Sequence, residues 1–170
     1  MSNPDSAVPQ TVEAGGVAAK PAAPLRVCLI SLGGELLAIN LRHVREVFEV
    51  ENLTTVPGMP AALAGVANLR GVVIPVVDLR GLLGLPTGGA KLAYAVVLKH
   101  GPHQIGVMVE QVPEIRTVHQ EDFLPAPSRG VQGPTPFVNA ILKMDDRIGG
   151  VVEVPTLLSY VEGGTGQPQS

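Results

Sequence analysis

Residues 65–80, which read GVANLRGVVIPVVDLR, say most about how this chain folds. Valine and isoleucine dominate the second half of the stretch, and β-branched residues favour strands, so a strand is predicted over Val72–Asp78. Pro75 removes one hydrogen-bond donor from that strand, because proline has no backbone N–H. We therefore expect the strand to be an edge strand, or to be bulged, at Pro75.

Arg70 lies beside Gly71, between two strand-like runs of the same stretch. Two interpretations fit this position. The side chain is either a solvated charge in a turn or the partner of a carboxylate such as Asp78 or Glu46. Composition by itself favours the solvated charge.

The composition of the whole chain limits the fold class. Its 170 residues include 20 Gly and 16 Pro, the poorest helix formers, which disfavours a long helical bundle. Hydrophobic residues make up 45 % and charged residues 16 %, proportions that exclude a disordered chain. Between residues 25 and 160, 28 of 136 residues are Val or Ile. We therefore predict one mainly β domain over residues 25–161, with many short strands, as in a sandwich or barrel.

Charge and termini bear on partners and compartment. The net charge is −3 and no basic run is present, so no nucleic-acid partner is expected. The single cysteine, Cys28, has no internal partner for a disulfide, which fits a reducing compartment. Residues 1–24 lack the pattern of a signal peptide, and both they and residues 162–170 are poor in large apolar side chains. We expect two disordered tails on a cytoplasmic protein without a membrane-inserted segment.

Apolar runs bounded by Gly, Pro or Asp define the predicted elements. Hairpins are expected at Gly33-Gly34 and Gly101-Pro102, and a third tight turn at Asp145-Asp146. The further predicted strands are Arg26–Leu32, Glu35–Asn40, Tyr94–His100, His103–Val109, Glu114–Val118, Phe137–Met144 and Arg147–Val152. The few short helices are predicted over Met59–Ala64, Leu79–Leu83 and Val154–Tyr160.

A weak internal repeat relates the two halves of the chain. With a shift of 68 residues, Val27–Ile30 falls on Ala95–Leu98, and later, with a shift of 75, Val76–Leu79 falls on Val151–Val154. Two similar β-units, each of a hairpin, further strands and a short helix, would give this pattern. Chance matching between valine-rich strands is the alternative.

The chemically reactive residues form no catalytic pattern. His100 and His103 have the spacing of some metal pairs, but they lie in a predicted turn without a second His or Cys pair nearby in sequence. Cys28 alternates with apolar neighbours and has no indicated base to activate it. Phosphate-binding glycine loops and nucleophile-elbow motifs are absent. We expect no catalytic residue, metal or cofactor, and a small metal-dependent enzyme using the two histidines is a remote alternative.

The central stretch closely resembles the CheW-like family, the coupling scaffolds of bacterial chemotaxis. The strongest matches are Gly65-Val66-x-Asn68-Leu69-Arg70-Gly71 and Ile74-Pro75-Val76-Val77-Asp78-Leu79. Weaker matches run from Leu32-Gly33-Gly34-Glu35 to Leu157-Leu158, so the resemblance covers nearly all of residues 25–160.

The resemblance implies two small SH3-like β-barrels packed side by side over a shared hydrophobic seam, and no catalysis. Members of the family bind the cytoplasmic tip of chemoreceptors and the regulatory domain of the CheA-type histidine kinase, which has the same fold. Scaffold and kinase can therefore alternate in rings at the receptor array, under the inner membrane. The same scaffold role in a pathway that controls pilus-driven surface motility is the alternative.

The residues of this chain at the family's binding positions are expected to contact the receptor or the kinase. They are Leu41, Val44, Glu46, Val47, Gly65, Arg70, Val107, Val109 and Val112. The resemblance implies that the apolar members line a groove between the barrels, and that Glu46 and Arg70 are charges important for receptor coupling. Ordinary core packing is the alternative for each valine.

The chain departs from the family pattern in three places. The first helix is unusually basic, with Arg42, His43 and Arg45; the loop Gln120–Pro136 is rich in proline; and Pro155 opens the last helix where the family has a charged residue. These departures bear on the ring-forming contacts more than on the fold.

Overall fold

The computed structural model describes residues 23–59, 62–86, 88–125 and 137–166. The described residues form eleven β-strands, one α-helix and two short 3-10 helices, which confirms the predicted mainly β class. Most of the predicted N-terminal tail, much of the loop 120–136 and residues 167–170 lie outside the described residues.

The strands form two sheets. In chain order they are β1 Leu25–Leu32, β2 Glu35–Asn40, β3 Val44–Glu49, β4 Leu63–Leu69, β5 Val72–Val77, β6 Tyr94–His100, β7 His103–Val109, β8 Glu114–Val118, β9 Phe123–Pro125, β10 Val138–Met144 and β11 Arg147–Val152. The six-stranded sheet has the order β8-β1-β2-β11-β10-β9, and the five-stranded sheet the order β3-β6-β7-β5-β4. The two curled sheets are the two SH3-like units, named barrel A and barrel B in that order. The α-helix, α1, spans Val154–Gly166.

The two hairpins that begin the halves of the repeat have the same register. In the β1–β2 hairpin Val27 pairs with Asn40, and in the β6–β7 hairpin Ala95 pairs with Met108. Both residues of the second pair lie 68 positions after those of the first. The shift found in the sequence is therefore a structural equivalence and not chance matching.

Each hairpin continues its sheet by pairing in parallel with a strand from the other half of the repeat. Ile39 of β2 pairs with Val152 of β11, and Val107 of β7 pairs with Val77 of β5. Val77 and Val152 are 75 positions apart, which is the second shift. The two halves of the chain have thus exchanged hairpins, so that neither half forms a barrel by itself.

Both hairpins are buried on two faces because the barrels share one core. On β1, Cys28, Ile30 and Leu32 face the shared core, whereas Val27 and Leu29 face the interior of barrel A. Successive residues of a strand point to opposite faces, so a strand between two cores is a continuous apolar run. The hairpin of barrel B contributes Val96, Leu98, Ile105, Val107 and Val109 to the same core.

Helix α1 covers the shared core with one face. Val154, Leu157, Leu158 and Val161 are buried, at the i, i+3, i+4 and i+7 spacing of an amphipathic helix. The helix continues beyond the predicted end at Tyr160, so residues 162–166, assigned to a tail from the sequence, are helical.

Two of the predicted helices are wrong. The segment Met59–Ala64 runs into β4, which begins at Leu63. The segment Leu79–Leu83 consists of turns with a single α-type hydrogen bond of 3.0 Å between its ends, and Gly84, at φ +72°, follows it at once. One hydrogen-bonded turn is too little to propagate a helix.

Pairing with neighbours explains the strands β3 and β9, which the sequence did not predict, and β4, which the sequence marked only as a strand-like run before Arg70. β4 is rich in Ala and Gly, residues with low β propensity, but it pairs with β5 through most of its length. The basic helix expected to contain Arg45 is a 3-10 turn that ends at His43. Arg45 belongs to β3, which β6 holds in an extended conformation.

The expected edge position of Pro75 is confirmed at that residue, although β5 as a whole is not an edge strand. β5 lies between β4 and β7, and Pro75 pairs with Val66 of β4. Pairing of β5 with β7 begins only at Val76. At Pro75 the strand therefore has a neighbour on one side, which is where a strand tolerates proline.

A carboxylate joins the two barrels at the turn of the first hairpin. Glu110 directly follows β7, and its Oε2 accepts the N–H of Gly33, in the β1–β2 turn, at 2.7 Å. The N–H of Glu110 donates to the carbonyl oxygen of Ser31 at 3.3 Å. These bonds tie barrel B to the turn of barrel A.

Asp78 is held by Arg80, whose guanidinium donates to both carboxylate oxygens at 2.8–3.2 Å. Burial acts to raise the pKa of Asp78, but the hydrogen bonds and charge of Arg80 outweigh it, and the pKa is lowered. A folded-state pKa below the unfolded value means that ionised Asp78 stabilises the fold above about pH 4. That contribution is lost as pH falls through the folded pKa.

We expect Asp78→Asn to lower the free energy of unfolding at neutral pH. Between about pH 4 and pH 2, the free energy of unfolding should fall less for this variant than for the wild type. Urea denaturation at stepped pH measures both effects. Asp146→Asn, at an exposed turn position, is the matched control. Parallel pH profiles for wild type and Asp78→Asn would contradict the role assigned to the pair.

Candidate functional site

The turn between β4 and β5 is built by the motif Asn68-Leu69-Arg70-Gly71. Leu69 pairs with Val72, so Arg70 and Gly71 are the two central residues of a tight hairpin turn. Both have positive φ, +53° and +87°, as a type I′ turn requires. The Asn68 Oδ1 accepts the N–H of Gly71 at 2.9 Å and so closes the turn.

Arg70 is an unfavourable residue for this turn. A left-handed backbone suits Gly or Asn, and for other residues it costs about 1–2 kcal/mol. The Arg70 side chain is 69 % exposed, so packing offsets little of this cost. The backbone strain at Arg70 is therefore not explained by stability.

Arg70 forms an ion pair with Glu46, which decides between the two interpretations of its charge. Glu46 lies on β3, at one edge of the five-stranded sheet, and Arg70 lies in the turn of the hairpin at the other edge. The pair therefore bridges the two edges of the curled sheet. Because both groups are in contact with solvent, such a pair contributes only about 0–1 kcal/mol to stability.

Exposed apolar side chains adjoin both ends of this ion pair in the sequence. Val47 follows Glu46 and is 38 % exposed, whereas Val72 and Val73 follow the turn and are 49 % and 61 % exposed. We call Glu46, Val47, Arg70, Val72 and Val73 the Arg70 surface. They come from β3 and from the β4–β5 hairpin, and successive members of one strand, such as Val72 and Val73, lie on opposite faces of it. Exposed apolar side chains that adjoin a charge make these residues candidates for contact with a partner.

Barrel A carries an equivalent surface at the positions given by the two shifts. Ile115 is equivalent to Val47, and Ile148 is equivalent to Val73; they are 43 % and 62 % exposed. We call Glu114, Ile115, Arg147 and Ile148 the Ile148 surface. Its charges are also paired, since Glu114 accepts from Arg116 at 2.9 Å and lies 3.6 Å from Arg147. The hydrogen bond from Arg116 lowers the pKa of Glu114.

The turns of the two surfaces differ in charge and in backbone cost. Asp145 of the β10–β11 turn is equivalent to Arg70 and has φ +48°. Aspartate tolerates the left-handed conformation far better than arginine does. Only the Arg70 surface therefore carries an arginine at a strained position.

The apolar residues expected at the groove fall into three environments. Val107 and Val109 have no exposed surface and pack in the shared core, so their side chains are not available to a partner. Leu41 and Val44 are partly buried against that core. Val112 is 62 % exposed.

Gly65 lies buried at a β-bulge, where the pairing of β4 with β5 shifts between Leu63 and Gly65. A Cβ at this position would lie 2.8 Å from the carbonyl oxygen of Thr54. Thr54 bridges to Val66 through two backbone hydrogen bonds of 2.9 and 3.0 Å. The structure therefore gives Gly65 a reason to be glycine that does not involve a partner.

The residues considered for chemistry have other surroundings. Cys28 is fully buried, and burial raises the pKa of its thiol to about 11, which removes it as a nucleophile at neutral pH. His103 Nδ1 lies 2.6 Å from Glu162 Oε2, and His100 packs edge-on against His43. In the part of the chain that the structure describes, no three His, Cys, Asp or Glu side chains are grouped to hold a metal ion.

The sequence did not single out Val72, Val73, Ile115 or Ile148. Their exposure depends on the way in which the sheets curl and on the partial pairing of β5, neither of which is visible in a Val-rich string. The repeat was the available signal, because the shift of 75 residues connects Val73 to Ile148.

We expect Gly65→Ala to lower the free energy of unfolding by about 2 kcal/mol, because the new methyl group clashes with a backbone carbonyl that cannot turn away. Thermal unfolding measures the change. Gly81→Ala is the matched control, because a Cβ there meets no atom within 4 Å. A fully stable Gly65→Ala variant that fails to bind its partners would contradict the structural role.

Comparisons with known proteins agree with this geometry. A family model described as the CheW-like domain matches residues 26–162. The probable chemotaxis protein CheW of Rhizobium etli is 30 % identical over 132 residues, covering 77 % of this chain and 85 % of that protein. The chemotaxis protein CheW of Bacillus subtilis is 29 % identical over 138 residues, covering 78 % and 86 %.

A solved structure is also similar. The scaffolding protein TtCheW of Thermoanaerobacter tengcongensis has a TM-score of 0.70 and 27 % identity, covering 76 % of this chain and 89 % of that one. Within the described ranges, no helix has the length and apolar character needed to span a bilayer.

Proposed function

This chain belongs to the CheW-like family, and we propose that it is a non-catalytic adaptor that binds the cytoplasmic tip of a chemoreceptor and the regulatory domain of a CheA-type histidine kinase. It is a coupling protein of chemotaxis signalling, which in this family means interaction with chemoreceptors and with CheA. The finer assignments of surface, kinase domain and place in the cell are our proposals.

The observation that carries the proposal is the strained, solvated Arg70. Its backbone conformation costs about 1–2 kcal/mol, and its exposed ion pair with Glu46 returns less than that. An unfavourable residue at an exposed turn supports a functional role, because stability would favour Asn or Gly there. Arg70 is also one of the two charged positions that the family's motif assigns to receptor coupling.

The Arg70 surface suits a helical partner. A receptor tip is a helical hairpin, and a helix can lay one apolar stripe on exposed valines while a fixed charge sets its register. Leu41 and Val44, which are partly buried beside β3, extend the apolar surface toward the junction of the barrels. Contacts of this size are weak singly, so strong coupling depends on many copies acting together in an array.

Two equivalent surfaces suit a partner of the same fold. The kinase regulatory domain, as the family resemblance implies, is itself a pair of such barrels. We assign the kinase contacts to Val73 and Ile148, at equivalent positions of the two outer hairpins, and leave Val47 and Arg70 to the receptor. One adaptor would then contact two kinase domains, so that adaptors and kinases alternate in rings. We place these rings in the cytoplasm, beneath receptors of the inner membrane.

A scaffold in a pathway for pilus-driven surface motility is the second candidate. Protein PilI of Pseudomonas aeruginosa is 32 % identical over 82 residues, covering 48 % of this chain and 46 % of that protein. This match spans much less of both chains than those to the chemotaxis proteins. The identity of the kinase encoded beside this gene would decide between the pathways.

Arg70→Asn is expected to separate stability from function. Asparagine fits the left-handed turn, so the free energy of unfolding should rise by about 0.5–1 kcal/mol, while receptor-stimulated autophosphorylation of the kinase should fall at least about tenfold. Denaturation and a reconstituted receptor–kinase assay measure the two effects. Loss of cooperative unfolding, or normal coupling, would contradict the proposal.

The kinase contacts are tested by Val73→Asp and Ile148→Asp. Each variant should still bind the kinase regulatory domain at its other surface but should stop at small complexes, whereas the double variant should lose binding. Analytical ultracentrifugation of mixtures measures this. Val56→Asp is the control and should assemble normally. Val56 is 45 % exposed but belongs to neither surface. Equal assembly by all variants would contradict the assignment.

A further inference from the structure

Six basic residues gather at one end of barrel B. They come from the 3-10 turn before β3, from β3 itself and from the β6–β7 hairpin, and we call them the basic end: Arg42, His43, Arg45, Lys99, His100 and His103. The whole chain has a net charge of −3, so this concentration of cations is local. The coupling role described above leaves it unused.

Direct contacts join the turn to the hairpin. His43 Nδ1 lies 3.4 Å from the carbonyl oxygen of Lys99, and Arg42 Nε donates to His43 Nε2 at 3.5 Å. The rings of His43 and His100 are edge-on, with centroids 5.6 Å apart. His100 pairs with His103 directly across the hairpin, so their side chains leave the same face of the β6–β7 pair.

The permanent charges of the basic end are not neutralised. Among the described residues, no ion pair involves Arg42, Arg45 or Lys99, and Glu162 pairs with His103. Burial lowers the pKa of His43, and the charges of Arg42 and His100 lower it further, against the Lys99 carbonyl. In the part of the chain that the structure describes, the permanent charges of the basic end therefore lie together without a paired carboxylate.

We propose that the basic end binds an acidic segment of the receptor that occupies the Arg70 surface, and so selects receptors by charge; this rests on the coupling function proposed above. The two sites are continuous, because Arg45 and Val47 are two positions apart on β3 and both are exposed. At about 3.3 Å per residue, a carboxylate about one helical turn from the apolar contact of a docked helix would reach Arg45.

The chemistry favours carboxylates of a protein over a membrane surface. Two arginines offer planar forks that bind carboxylates with two parallel hydrogen bonds. Attraction to anionic lipid grows with the number of charges, and three permanent cations without an exposed aromatic residue among them fall short of the usual four to eight. Charge matching of this kind acts mainly on partner choice and on association rate.

The test measures binding of the full chain to cytoplasmic fragments of the receptors encoded in the same genome, at about 0.05 and about 0.3 M salt. We expect affinity for the cognate fragment to fall at least about tenfold between these salt concentrations. Arg42→Glu/Arg45→Glu should remove most of this salt dependence and weaken binding at low salt. Lys143→Glu, an exposed charge reversal on β10 of barrel A, should behave as the wild type.

The outcomes separate this inference from the function on which it rests. If Arg70→Glu abolishes receptor binding but the double variant keeps the wild-type affinity and salt dependence, the coupling function stands and the basic end is not a receptor contact. If no receptor fragment binds, both fail. Sedimentation of the wild type, but not the double variant, with vesicles of anionic phospholipid would overturn the choice of a protein partner. Shifts of the His43, His100 and His103 ring resonances on adding the cognate receptor fragment would support a contact between the receptor and the basic end.

Discussion

The fold depends on two hairpins whose strands are buried on both faces. β1 and β2 separate the interior of barrel A from the shared core, and β6 and β7 do the same for barrel B. A polar residue in the middle of such a strand is costly on either face, because each face is packed against a different set of side chains. Each hairpin reaches this position by pairing in parallel with a strand from the other half of the chain. The barrels are therefore expected to unfold together.

Burying the hairpins leaves the outer elements free to carry function. The Arg70 and Ile148 surfaces lie on outer strands and hairpin tips. The exchange of hairpins also places equivalent surfaces on both barrels, because the strands β8-β1-β2-β11-β10 of barrel A correspond in order to β3-β6-β7-β5-β4 of barrel B. A repeat that serves packing thus supplies two contact surfaces, whose charges have diverged between Arg70 and Asp145.

Arg70 shows how sequence, backbone and function are linked at the site. Asn68 and Gly71 make the tight turn, the turn forces Arg70 into a left-handed conformation, and the ion pair with Glu46 fixes the side chain across the opening of the sheet. The sequence identified the residue through its motif and proposed Glu46 as one of two partners. Only the curl of the sheet, which brings β3 to the β4–β5 turn, excluded Asp78, whose carboxylate is taken by Arg80.

The sequence by itself determined the fold class, most strands, the two shifts of the repeat and the motif around Arg70, because these depend on local composition and spacing. It marked β4 only as a strand-like run before Arg70, because the Ala and Gly residues of that strand are extended through pairing. It did not predict the exchange of hairpins, which is a choice between partners distant in the chain. It could not tell buried Val107 from exposed Val73, since both belong to similar valine-rich strands. Tertiary structure decided which faces are covered, because burial depends on what packs against a strand and not on the strand's own residues.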